Sequence, residues 1–358
     1  MNIVTIVGAR PQFIKSAPVS KALRKAGHRE IIIHTGQHYD QKMSRIFFEE
    51  LSIPKPEVNL KIGSGTHAYQ TGHMMIGIEK VLLNTKPDWV LIYGDTNSTL
   101  AGALAACKVG CRLAHIEAGM RSYNRQMPEE HNRVLADHCS DVLFCPTKNA
   151  VRNLRREGIV KGVYLVGDTM YDSTLEYARV AEKRSTILKK LGLRPKAYFL
   201  ATVHRSQNTN DCKNLKEILE GFSRLNELVI FPVHPRTRKA IDSLNGGSNL
   251  KKEGSSIKMI DPVGYLDMLL LEKNAKVILT DSGGIQKEAY FLKTLCITLR
   301  TETEWPETVA AGWNVVAGPD LSRVSILAKK IVPPSRKNVF EFGDGRATQK
   351  ILRLLETV

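Results

Sequence analysis

The sequence predicts an α/β protein made of two doubly wound parallel-sheet domains. Three observations predict it. Short runs rich in Val and Ile alternate with longer amphipathic stretches, and parallel strands need a crossover that is usually a helix. The alternation begins again near residue 198, after a charged segment. The chemically unusual residues fall at the ends of the apolar runs, where ligands of open α/β sheets bind.

In the first series the expected strands are Ile3–Val7, Glu30–His34, Asp88–Tyr93, Arg112–Ile116 and Val142–Cys145. Helical patterns cover Gln12–Lys25 and Leu100–Lys108. The second series gives strands at Tyr198–Val203, Glu227–Val233, Ile257–Ile260, Val277–Thr280 and Leu295–Leu299. Between them, Tyr177–Lys190 reads as one charged helix, followed by a Leu-Gly-Leu-Arg-Pro linker. The boundary is therefore expected near 168–196. This gives an N-terminal domain over 1–170, a C-terminal domain over 171–344, and a last segment, 345–358, whose helix crosses back onto the first domain. With two facing sheets, the ligand is expected in the cleft between them.

Length and composition agree with two cores. The chain has 358 residues, 42% hydrophobic and 25% charged. No run of about 18 apolar residues exists to span a membrane. The opening Met-Asn-Ile-Val-Thr-Ile-Val-Gly reads as a first strand and not a signal peptide, which puts the expected location in the cytoplasm. Six cysteines at 107, 111, 139, 145, 212 and 296 form no C-x-x-C pair and sit near no zinc-spaced His cluster. They read as reduced small apolar residues, and no metal is expected. The net charge of +16 favours anionic ligands. Basic groups such as Lys21, Arg24 and Lys25 are scattered over helical faces, with no basic segment interleaved with aromatics. Nucleic acid is not an expected partner.

Each strand end then offers a chemical group. The first leads into Gly8-Ala9-Arg10-Pro11 and a helix carrying Lys15. Backbone amides, a helix N-terminus and two cations at one point suit an anion. An ordinary turn with surface charges would look the same. Asp95, in Gly-Asp-Thr-Asn, follows the strand ending at Tyr93 and is either a working acid or the cap of the next helix. Glu117 ends another strand, and Glu129 opens the helix after Pro128. Arg133 stands one turn beyond Glu129, as an i,i+4 partner would. Converging carboxylates can be driven apart in pKa, one serving as base and another as acid.

The second domain supplies His204 after its first strand and His234 with Arg236 after the next. Each histidine can contact a phosphate, move a proton, or serve structure alone. Its sharpest local signal is Thr280-Asp281-Ser282-Gly283-Gly284, a strand running through glycines into a helix. Ser282, Gly283 and Gly284 let the backbone approach a diphosphate, and Glu288, one turn on, can accept from ribose hydroxyls.

Taken together, these motifs resemble the non-hydrolysing UDP-N-acetylglucosamine 2-epimerases along nearly the whole chain. The resemblance rests on Gly-Ala-Arg-Pro-Gln-Phe-Ile-Lys (8–15), Gly-Gln-His (36–38), Gly-Asp-Thr-Asn-Ser-Thr-Leu-Ala (94–101) and His-Ile-Glu-Ala-Gly-Met-Arg (115–121). It continues in Pro-Glu-Glu-His-Asn-Arg (128–133), Thr-Asp-Ser-Gly-Gly-Ile-Gln-Lys-Glu (280–288), Pro-Glu-Thr-Val-Ala-Ala-Gly (306–312) and Gly-Asp-Gly-Arg-Ala (343–347). It implies two Rossmann-like domains facing a cleft, as in B-type glycosyltransferases, a homodimer, and a UDP-sugar substrate handled without NAD or metal. It also implies the chemistry: UDP is eliminated to leave a 2-acetamidoglucal, then re-added after proton return to the other face of C2. Asp95, Glu117 and Glu129 become the acid/base candidates. His204, Arg10 and the Ser282–Gly284 amides become the stabilisers of the departing diphosphate. Lys15 and Arg133 support carboxylates or sugar, and Gln37, Gln41 and Gln70 lie where some members bind a second, activating UDP-sugar.

One motif departs from the family. Thr-Glu-Trp-Pro-Glu (303–307) stands where Thr-Glu-Arg-Pro-Glu is usual. With Ile-Pro-Lys-Pro (53–56) and Phe-Cys-Pro-Thr (144–147), it looks like the branch acting on UDP-2,3-diacetamido-2,3-dideoxyglucuronate. That substrate is the alternative to UDP-N-acetylglucosamine, and a B-type glycosyltransferase is a more distant one.

Overall fold

The computed structural model describes residues 1–37, 48–225, 227–244, 256–318, 321–335 and 341–358. His38 of the Gly-Gln-His motif and Gln41, expected near a second UDP-sugar, lie outside the described residues. The chain forms two compact units, one of Met1–Ser173 with Phe340–Val358 and one of Thr174–Val339.

The first unit is built on a seven-stranded sheet: β1 (Asn2–Val7), β2 (Arg29–His34), β3 (Val58–Asn59), β4 (Trp89–Tyr93), β5 (Leu113–Ile116), β6 (Val142–Cys145) and β7 (Val163–Leu165). Their order is β3-β2-β1-β4-β5-β6-β7, and every pairing is parallel. All five residues of β4 are buried, as a central parallel strand covered on both faces requires. Val4, Ile6, Val90 and Ile92 pack under Met74, Ile78 and Leu82 of helix His67–Thr85 and the small residues of helix Asn97–Val109. Gly102 of that second helix lets it lie close on the sheet, since a Cβ there would meet Ile6 Cδ1 at 2.8 Å.

The final helix, Ala347–Thr357, completes this unit. The buried Asp172 carboxylate accepts from the Ala347 and Thr348 amides at 3.2 and 2.7 Å, satisfying orphan donors of its first turn. Trp89 Nε1 donates to Leu355 O at 3.2 Å at its other end. Gly343 passes so close to Gly167 that a Cβ would lie 3.0 Å from Gly167 Cα, so the Gly-Asp-Gly motif serves chain passage here.

The second unit repeats the plan with six strands: β8 (Phe199–Thr202), β9 (Val229–Pro232), β10 (Ile257–Ile260), β11 (Val277–Thr280), β12 (Leu295–Thr298) and β13 (Asn314–Val316). The order is β10-β9-β8-β11-β12-β13, again all parallel. Both sheets are therefore doubly wound α/β, as the alternation predicted.

The differences are local. The stretch read as one helix over 177–190 is two, Thr169–Arg184 and Ile187–Leu191, with Ser185 turned to accept from the Ile187 amide and to donate to Asp267. The sequence reading missed β3, β7 and β13. Each is a two- or three-residue strand at a sheet edge, too short to show a period.

In each sheet the order reverses once. The chain leaves β1 towards β2 and then returns to β4, and it leaves β8 towards β9 and returns to β11. The carboxyl ends of β1/β4 and β8/β11 are the topological switch points where such sheets bind ligands.

Candidate active site

At the first switch point three segments meet. The turn after β1 begins with Gly8, where a Cβ would lie 2.0 Å from Thr35 Oγ1 and 2.2 Å from Ser98 Oγ. The Gly8 and Ala9 amides donate to Gln12 Oε1 at 2.8 and 3.0 Å, while Gln12 Nε2 donates to Tyr93 O and Thr99 Oγ1 at 3.0 and 3.1 Å. This corrects the expectation that those amides greet an anion. The fully buried Gln12 has taken them to weld β1 to β4, and Arg10, half-buried at the start of its helix, is the cation that the turn presents.

Lys15 points into the sheet edge and pairs with Glu117 Oε2; both side chains are 8% exposed. Glu117 sits just past β5 with φ +71°, a left-handed conformation that is costly for a residue with a Cβ. Its amide and that of Ala118 donate to Phe144 O, which holds the strained turn. Gly94 lies beneath the pair. A Cβ there would be 3.1 Å from both Glu117 Oε2 and Lys15 Nζ, and its own φ is +63°. Glycine at 94 thus makes room for the ion pair and also allows the turn that releases Asp95.

Asp95 is not the cap of the following helix. Thr96 is, accepting from the Thr99 amide at 3.3 Å. Asp95 is left at the sheet edge, 31% exposed, with Arg133 Nε and Nη2 both donating to its Oδ2 at 3.0 and 2.6 Å. Arg133 Nη1 donates to Glu130 Oε2 at 2.8 Å. The expected i,i+4 pairing of Arg133 with Glu129 is therefore replaced by Asp95 and Glu130. A buried guanidinium fork is better satisfied by two fixed acceptors than by one half-exposed side chain. Glu130 also takes the Ser122 and Tyr123 amides at 2.9 Å each. Burial raises its pKa, but those donors and Arg133 outweigh burial and hold it below the usual carboxylate value. Glu129, in the first turn of helix Pro128–Cys139, is half-buried, and its carboxylate makes no hydrogen bond or ion pair with another described residue.

A buried layer supports these groups. His115 bridges Asp137 Oδ1 and Gly94 O at 2.7 and 2.8 Å. Asp137 Oδ2 accepts from the Gly119 amide at 3.0 Å and from Arg121 Nη1 at 2.7 Å. Arg121 in turn forks onto Glu157, both bonds at 2.7 Å. Neither His115 nor Asp137 was singled out from the sequence. The available signal was Asp137's place one turn after Arg133 on the sheet-facing side of the helix.

At the second switch point Asp281, fully buried, accepts from the His204 amide at 3.1 Å, the Arg205 amide at 3.0 Å and Asn208 Nδ2 at 3.0 Å. His204 Nδ1 lies 3.4 Å from Asp281 Oδ1, and the ring is 44% exposed. Asp281 carries the same strand-end signal in the sequence as Asp95, next to the glycines of its turn. Ser282 precedes helix Gly283–Phe291 and gives it no side-chain cap, so its own hydroxyl does not occupy the first-turn amides. Residues 282–284 are half-exposed. Glu288, one turn on, is buried against Tyr265, whose phenol is pushed well up by burial first and then by the nearby charges of Glu288 and Glu272. His234 follows β9, the strand beside β8. It caps helix Pro235–Ser243, its Nδ1 accepting from the Arg236 amide at 3.2 Å, with an exposed ring. Gln37 Oε1 accepts from the Ser98 amide at 3.0 Å, and Gln70 Oε1 from Asn97 Nδ2 at 2.9 Å, so both border the start of helix Asn97–Val109.

The UDP-N-acetylglucosamine 2-epimerase family model matches residues 21–356. The chain belongs to that family. It is 54% identical over the full length of both chains to a Methanococcus maripaludis protein named UDP-N-acetylglucosamine 2-epimerase homolog. It is 46% identical, over 99% of both chains, to the UDP-2,3-diacetamido-2,3-dideoxy-D-glucuronate 2-epimerase of Pseudomonas aeruginosa. Its fold matches the crystal structure of Methanocaldococcus jannaschii UDP-GlcNAc 2-epimerase in complex with UDP-GlcNAc and UDP, with a TM-score of 0.92, 46% identity and full coverage of both chains. The family resemblance drawn from the motifs and the two-sheet α/β fold class stand together in these matches.

Proposed function

We propose that this protein interconverts UDP-N-acetylglucosamine and UDP-N-acetylmannosamine without a cofactor. The observation that carries the reading is the carboxylate pair at one switch point, Asp95 and Glu117, each held by its own buried cation. The C2 proton of the sugar is weakly acidic. Its removal needs a positioned base together with a stabilised leaving group. One carboxylate takes the C2 proton as the anomeric C–O bond breaks, and UDP departs with the bonding electrons. The 2-acetamidoglucal then receives a proton on the opposite face, and UDP adds back at C1. Glu129 is the third acid in this assignment. The acid/base candidates belong to the N-terminal unit, as does Arg10, which is assigned to the developing charge; in the C-terminal unit Ser282–Gly284 are assigned to the diphosphate, His204 to the developing charge and Glu288 to the ribose. His234, occupied as a helix cap, is assigned no more than a peripheral contact.

The Pseudomonas relative and Trp305 favour a second substrate, the diacetamido-uronate. Proton NMR in deuterated water with each UDP-sugar separates the readings. An epimer deuterated at C2 is the expected product from UDP-N-acetylglucosamine. Label only in the uronate transfers the reading to that substrate, and sugar transfer to an acceptor with no exchange replaces it with a glycosyltransferase.

A homodimer working in the cytoplasm is part of the same proposal. Helix His67–Thr85 carries Tyr69, Ile76 and Leu83 at seven-residue spacing, all exposed, an apolar line suited to a second copy. Sedimentation velocity should give twice the 40.0 kDa chain mass, and Ile76→Lys should halve it. A monomeric parent protein would remove the dimer.

A further inference from the structure

Of the six cysteines, Cys145 and Cys296 are buried, and burial holds their thiols protonated. They behave as the small apolar residues expected of them. Two others do not fit that reading. Cys107 is exposed near the end of helix Asn97–Val109, and Cys139 closes helix Pro128–Cys139. The first helix connects β4 to β5 and the second connects β5 to β6, three parallel strands paired side by side. Right-handed crossovers therefore put both helices on one face of the sheet, running the same way. Near their start they are joined by Asn132 Nδ2, which donates to Asp95 O and Asn97 Oδ1 at 2.9 and 3.4 Å. At the far end Cys139 packs against the core cluster of Ala103, Ala106 and Ala136. Its thiol lies within hydrogen-bonding reach of the Cys107 thiol; burial first, and then Cys107, push it above its ordinary value. Cys111 packs on the same core, and burial alone shifts it. Among the described residues no group of three or more His, Cys, Asp or Glu is placed to hold a metal, so the pair is a dithiol and not part of a larger ligand set.

We propose that Cys107 and Cys139 form a reversible disulfide across these two helices when a low-molecular-weight disulfide is present. The exposed Cys107 thiolate attacks one sulfur of the small disulfide. A mixed disulfide forms, and the first small thiolate leaves with the electron pair of the broken bond. Cys139 then loses its proton to solvent and attacks the Cys107 sulfur. The S–S bond between the helices forms as the second small thiolate departs. Two protein thiols are oxidised by two electrons, and one small disulfide is reduced to two thiols. Once Cys107 is in the mixed disulfide it carries no charge, so its hold on the Cys139 proton is gone. The bond ties the far ends of two helices, one of which starts just after Asp95 while the other carries Glu129 in its first turn. It depends on no part of the epimerase reading.

The full chain, reduced and then treated with glutathione disulfide in native buffer, tests the inference. Remaining thiols are alkylated, and the chain is digested without reductant for mass spectrometry. The peptides containing Cys107 and Cys139 should appear joined, and dithiothreitol should release them. The joined protein should melt several degrees above the reduced one, because the bond restricts the unfolded chain. Cys139→Ser should stop at one glutathione on Cys107, and Cys111→Ser should leave the link intact. Glutathione that stays on Cys107 in the parent protein overturns the inference, as do thiols that all remain open to alkylation or a link that forms only in urea. A melting point that the bond leaves equal or lower overturns it too, since the helices would then have to leave their native packing to make it.

Discussion

Replacing Glu117 with Gln is expected to lower turnover by about 10²–10⁴, the usual worth of one positioned acid or base, with UDP affinity unchanged. The carboxylate ends β5 in a left-handed turn and lies within contact of Lys15. Gln keeps the shape but can neither take a C2 proton nor neutralise the ammonium. The residues assigned to UDP belong mainly to the other unit, so steady-state turnover and UDP titration should separate cleanly. Asp95→Asn should behave alike, because its Oδ2 is fully committed to Arg133 and its geometry survives the change. Glu129→Gln tests the third acid, whose side chain is not held by other described groups. Near-parent turnover in all three variants would remove the acid/base assignment, and a parallel fall in UDP affinity would make it a folding effect.

The second large effect is on stability. Asp137→Ala should cost about 3–5 kcal/mol, the range for breaking a buried ion pair by deleting one partner. The loss strands His115, Arg121 Nη1 and the Gly119 amide together. Burial raises the Asp137 pKa, but the His115 hydrogen bond and charge and the Arg121 charge outweigh it, leaving the folded value below the ordinary one. A carboxylate with a lowered folded pKa adds stability above its unfolded value of roughly 3.9 and loses that stability as pH falls through and below it. Thermal denaturation should therefore show a lower midpoint for the variant at neutral pH. The gap from the parent protein should narrow as pH drops below about 4. A gap that stays constant down to pH 3 would contradict the assignment. Because His115 also bonds Gly94 O, the same variant should lose turnover through the Gly94–Asp95 turn.

What was legible in the sequence is what depends on near neighbours in the chain. The two alternating series gave two parallel sheets, since strand period and helix period are local properties. Asp95, Glu117, His204 and Ser282–Gly284 are legible as candidates because each follows an apolar strand, and a parallel sheet collects such positions at one edge. The family resemblance came from ordered short motifs of the same local kind. Tertiary structure alone decided the partners. Gln12 claims the Gly8 and Ala9 amides because Tyr93 and Thr99, more than 80 residues on, lie within its reach. Arg133 turns from Glu129 to Asp95 because helix Pro128–Cys139 lands beside the end of β4. Asp281 holds the turn at His204 across 77 residues, and Lys287 meets Trp305 although all of β12 lies between them in the chain. A buried charge or amide must find a partner somewhere, but only the packed fold brings that partner within bonding distance.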